Sequence, residues 1–78
     1  MLPEQHRKEF DAYARETIKR FVRAPKGSPE YEREIYYIAG SLRLAVSSPD
    51  PRIPVDVFQA LEKEFLGIID DAVKDFRK

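Results

Sequence analysis

An all-α fold, specifically a small three-helix bundle, is what this sequence predicts, and three observations predict it. Apolar residues recur at three- and four-residue steps in three separate segments. Between those segments lie two proline-containing stretches, Ala24-Pro25-Lys26-Gly27-Ser28-Pro29 and Ser47-Ser48-Pro49-Asp50-Pro51-Arg52-Ile53-Pro54. Proline lacks a backbone donor and restricts the residue before it, so neither stretch continues a helix. No apolar/polar alternation is long enough to make a strand. The short connections favour antiparallel neighbours, and the 78 residues suffice for one domain spanning 1–78.

The first helix is expected over about residues 3–23, with Phe10, Tyr13, Ala14, Thr17, Ile18 and Phe21 on one stripe and Val22 at its edge. Pro3 suits a first turn, where an amide has no partner to lose. The second is expected over about 29–46. Ser28 is a good N-cap, because its hydroxyl accepts from an otherwise unpaired amide, and Pro29 fits the next position. Tyr31, Ile35, Ile38, Ala39, Leu42, Ala45 and Val46 form its main stripe. The third is expected over about 54–77, with Val57, Phe58, Leu61, Phe65, Ile68, Ile69, Ala72 and Phe76 on one face, widened by Leu66 and Val73. Asp56 and Gln59 have capping-box spacing, which offers a second possible start. From these registers the core is expected to comprise Phe10, Ile18, Phe21, Ile35, Ile38, Leu42, Leu61, Phe65, Ile69 and Phe76.

Charge agrees with the helices. Glu30, Glu32 and Asp56 stand at helix starts, while Arg20, Arg23, Lys74, Arg77 and Lys78 stand at ends, each complementing the helix dipole. The 14 basic and 14 acidic side chains cancel, which speaks against a nucleic-acid coat or a polybasic membrane anchor. With no cysteine there is no disulfide framework, thiolate nucleophile or thiolate-bound zinc. Residues 1–8 turn polar at once, and the longest uncharged run, 35–42, falls far short of the ~20 apolar residues of a membrane span. A soluble, cytoplasmic protein is expected.

Catalytic and metal chemistry find no constellation. His6 is the one imidazole, one turn before Phe10, and no second histidine stands at helical spacing to share a metal. Asp71 and Asp75 are four apart and could meet a hard cation, but they lack the other oxygen ligands of such a site, and Lys74 is an ordinary ion-pair neighbour. Ser28, Ser41, Ser47 and Ser48 have no nucleophile-elbow context, and Gly27, Gly40 and Gly67 are too widely separated for a phosphate cradle. The chain therefore reads as non-enzymatic, with no cofactor, metal or small-molecule substrate.

Two surfaces remain. Lys8, Arg15, Lys19 and Arg23 lie opposite the Phe10/Phe21 side of the first helix, with Lys26 following, so a phosphate backbone could meet this stripe. Acids precede several of the helix's bases at four-residue spacing (Glu4 and Lys8, Asp11 and Arg15, Glu16 and Arg20), which makes a solvated, paired surface the plainer reading. Tyr37, Gly40 and Leu44 lie on the side of the second helix away from Ile35, Ile38 and Leu42. A helix with two apolar sides is either central to a bundle or keeps one for a partner. Gly40 would let another helix approach, Tyr37 and Leu44 would anchor it, and Arg33 and Tyr36 would form a polar rim. The functional expectation is a small protein-interaction module (a regulator, adaptor or inhibitor of a larger protein) that also forms a homodimer. A nucleic-acid-associated protein is the alternative.

Overall fold

Ser28 sets the start of the middle helix: its Oγ accepts from the Tyr31 amide at 3.1 Å, with Pro29 in the first turn. A computed structural model describes residues 2–78, so Met1, the first residue of the expected domain, lies outside the described residues. The helices are α1 over Glu4–Phe21, α2 over Pro29–Val46 and α3 over Val55–Arg77. Each packs on the other two, and among the described residues there is no strand. The fold is the expected all-α three-helix bundle. No helix among the described residues is long and apolar enough to cross a membrane.

The helix ends correct the expected boundaries slightly. α1 stops at Phe21 because Val22 turns to extended backbone, and the amides of Arg23 and Ala24 donate to Glu34 Oε1 at 2.6 and 3.1 Å. A carboxylate on α2 thus takes the amides that two further helical residues would have used. Gly27, at φ 93°, supplies the left-handed residue that lets the chain turn into Ser28. α3 begins at Val55 after Pro54 with no side-chain cap, so the capping-box start at Asp56 is not the one used.

Each helix seals one alanine inside the core. Ala14, Ala39 and Ala72, one on each helix, have no exposed surface, and Ile18, Ile35 and Ile69 are equally sealed beside them. Tyr31, Ile38, Leu42, Ile68 and Val73 complete the buried set. The Tyr31 hydroxyl donates to the Phe76 carbonyl at 3.2 Å, so its polar end is satisfied. Of the expected core, Ile18, Ile35, Ile38, Leu42 and Ile69 are buried, while Phe10, Leu61, Phe65 and Phe76 are only partly covered. Phe21 is corrected outright: it is an exposed residue. The reason is geometric. Phe21 is in the last turn of α1 and stands on the outer side of the α1/α2 pair, level with the end of α3, as the Arg7–Glu64 and Arg15–Asp75 pairs set the two helices. At the other end α3, about 34 Å long against about 27 Å for its neighbours, outruns them in its first turns around Leu61. Phe65 still packs edge-on against Phe10, with ring centroids 4.5 Å apart.

Polar clamps converge on α3. Arg15 bridges Asp11 at 3.0 Å and Asp75 at 2.6 Å, and Arg7 meets Glu64 at 3.1 Å. On the other flank Arg43 meets Asp70 at 3.0 Å and Arg77 meets Glu32 at 3.4 Å. Among the described residues, each of the ion pairs joining two helices has a member on α3. The outer side of the α1/α2 pair carries apolar side chains instead.

Candidate functional site

Successive residues on a helix are rotated by about 100°, so a side chain one position from a core residue points well away from the core. Tyr37 precedes buried Ile38, and Tyr13 precedes buried Ala14. Both rings consequently stand on the outer side of the antiparallel α1/α2 pair. Between them runs a groove of about 520 Å³ lined by Tyr13, Thr17 and Phe21 on one wall and Tyr37, Ser41 and Ala45 on the other, with Ile38 and Leu42 beneath. Leu44 stands next to Ala45 on the α2 edge and is exposed.

The walls of this groove have little polar demand. Thr17 Oγ1 donates to the Tyr13 carbonyl at 2.7 Å, and Ser41 Oγ donates to the Tyr37 carbonyl at 3.3 Å. Each hydroxyl is turned back on its own helix, leaving its methyl or methylene towards the groove. Glu34 closes one end. The Arg23 amide, then the Ala24 amide, hold its carboxyl below the usual glutamate range, so it is ionised and already occupied. The volume is in the range of ligand pockets, but a trough between two helices with one committed polar group offers few contacts to orient a small molecule. Its shape suits apolar side chains presented by another helix.

The structure distributes the expected partner-binding residues over two sides of α2. Tyr37 lines the groove and Leu44 edges it. Gly40 lies between them along the helix, and a Cβ added there would meet nothing within 4 Å. Arg33 is exposed one turn before Tyr37, 3.8 Å from Glu30. Tyr36 turns the other way, beneath the Arg77 guanidinium at 5.2 Å, and belongs to the α2/α3 seam. Tyr13, Thr17 and Phe21 share the apolar stripe of α1, and of the three only Phe21 is expected in the core, so sequence reasoning does not single them out as groove residues. The one available signal was the breadth of the apolar arc on α1, wider than two packed neighbours cover.

The basic stripe is on the far side of α1 from the groove. Arg15 is drawn towards α3, where the hydrogen bonds it donates to Asp11 and then to Asp75 raise its pKa further, so its charge is spoken for. Lys8, Lys19, Arg23 and Lys26 are exposed. His6 is exposed near the start of α1, and Asp75 is engaged by Arg15 and by Lys78 at 3.3 Å. No cluster of three or more His, Cys, Asp or Glu among the described residues is arranged to hold a metal ion. Comparison of the chain with protein-family models, curated proteins and solved structures yields no match.

Proposed function

We propose that this protein acts by binding another protein, as a small non-enzymatic regulator, adaptor or inhibitor, and that the α1/α2 groove is the surface it uses. One observation carries the reading: Tyr13, Phe21, Tyr37 and Leu44 are 59, 55, 79 and 74 % exposed on one side of the molecule. Side chains of this size offer on the order of 200 Å² each, so the four leave roughly 500 Å² of apolar surface in water. That lies in the upper range of the largest patch on an ordinary monomer, about 300–600 Å². Tyrosine is also the residue type that interfaces favour, because its ring packs while its hydroxyl finds a polar rim. An amphipathic helix laid in the trough would place alternate turns between Tyr13, Phe21 and Tyr37. Nucleic acid along Lys8, Lys19, Arg23 and Lys26 has weaker support, because Arg15 is engaged and the exposed aromatics of α1, Tyr13 and Phe21, line the groove on the other side of the helix.

The test compares capture by the immobilised chain with capture by a Tyr13→Glu/Tyr37→Glu variant, from extract of the cell of origin. The expected result is one or a few proteins retained by the former and lost by the latter, with circular dichroism unchanged. Retention of the same proteins by both would overturn this reading.

A further inference from the structure

We propose that, in the isolated protein, the occupant of this groove is a second copy of the chain, docked face to face about a two-fold axis perpendicular to the helices. The proposal rests on the reading of the α1/α2 side as a protein-binding surface, and names its occupant. The α1/α2 pairs of the two copies form a central four-helix layer, with α3 of each copy outside.

Area comes first. The chain exposes 5699 Å², whereas a compact monomer of 9.1 kDa exposes about 4,900 Å² by the mass scaling of folded proteins. The excess, roughly 800 Å², is the share one partner contributes to an interface of standard size. The radius of gyration of 13.5 Å likewise exceeds the ~11.5 Å expected for this length. Part of that excess is the overhang of α3, where Val55 and Val57 are exposed, and the groove side is the other apolar face that an isolated copy leaves uncovered.

Relief and charge then favour a copy of itself. Along α2, Gly40 and Ser41 form a low saddle between Tyr37 and Leu44. Two α2 helices crossing antiparallel at that saddle set Tyr37 of one copy on Leu44 of the other, and the symmetry repeats the contact. The chain's own packing does not require glycine at position 40, where an added Cβ meets nothing. A close backbone crossing does require it, and glycine otherwise lowers helix stability relative to alanine. Zero net charge means that two copies do not repel at long range. A larger target then competes with the second copy for one surface, and its apparent affinity weakens as the concentration of this protein rises.

Light scattering of the purified chain tests the proposal, and is expected to give twice 9.1 kDa. Tyr37→Glu is expected to give the monomer mass at the same concentration, with helix content retained because this ring is mostly exposed. The absence of cysteine permits a second test. Ser41→Cys, next to the axis, is expected to oxidise to a disulfide-linked dimer, while Lys63→Cys on α3 stays largely uncrosslinked. A monomer mass for the unmodified chain up to about 100 µM, a weak affinity for a protein pair, would overturn the second copy as occupant. So would a dimer indifferent to Tyr37→Glu, or equal crosslinking at the two cysteines. None of these results touches the protein-binding reading, which fails only if the doubly substituted chain captures the same proteins.

Discussion

Ile35 has no exposed surface, while Phe21, a larger residue on an equally regular apolar stripe, is more than half exposed. The two side chains therefore carry opposite expectations. Ile35→Ala removes atoms that the surrounding helices cannot fully replace and is expected to cost about 2–5 kcal/mol. Phe21→Ala is expected to cost less than about 1 kcal/mol in the monomer, because most of its ring is already in water. Urea titration of both variants measures the difference, and similar losses would mean that Phe21 is buried in solution. Phe65, partly exposed and packed edge-on against Phe10, should fall short of the full loss expected for a sealed phenylalanine. Period alone could not separate these cases. It identifies an apolar arc, but the part of the arc that neighbours cover depends on where the backbones come closest. Here the fully sealed positions include Ala14, Ala39 and Ala72, residues whose small apolar area gives them little weight in a pattern.

Helices, unlike their covered faces, were legible because their punctuation is local. Ser28 and Pro29 define the start of α2 within a single turn, and replacing Ser28 by alanine is expected to cost about 1 kcal/mol, measurable as a lower thermal midpoint. The end of α1 was legible only to within two residues, since its stop signal is Glu34, which lies on a different helix. Gly67 offers a complementary test on α3. It is helical and exposed, and a Cβ would meet nothing within 4 Å. Gly67→Ala should stabilise the chain by about 0.5–1 kcal/mol, through reduced freedom of the unfolded backbone and better helix propensity. A neutral or destabilising result by thermal melt would show that something approaches α3 at that position. The groove itself was half legible. Its α2 wall announced itself as a second apolar side at Tyr37 and Leu44, whereas its α1 wall was hidden inside the stripe that also supplies the core.

At the scale of the whole molecule, two surface carboxylates, one of them partly covered, tie separate parts of the chain together. Glu34 holds the chain leaving α1 against α2, and Asp75 holds α1 against α3 through Arg15. Hydrogen bonds from the Arg23 and Ala24 amides lower the pKa of Glu34, and those from Arg15 and Lys78 lower that of Asp75. A depressed folded-state pKa means that the folded form binds protons less readily than the unfolded chain. Each carboxylate therefore contributes stability at pH values above its unfolded pKa, and that contribution disappears as the pH falls through the folded value. Exposure and salt screening keep each contribution small, yet both act in the same direction. The thermal midpoint is expected to stay nearly level from neutral pH down to about 5 and to decline below it. A Glu34→Gln/Asp75→Asn variant should melt lower at neutral pH and lose less on acidification, so that the two curves converge in acid. Parallel curves would show that these carboxylates do not latch the helices, and would place the acid sensitivity elsewhere. Added salt separates latching from general charge repulsion: screening weakens the two ion pairs with Asp75 but leaves the short amide contacts to Glu34 largely intact. Glu34→Gln alone should accordingly keep most of its effect in high salt, while Asp75→Asn alone should lose most of its own.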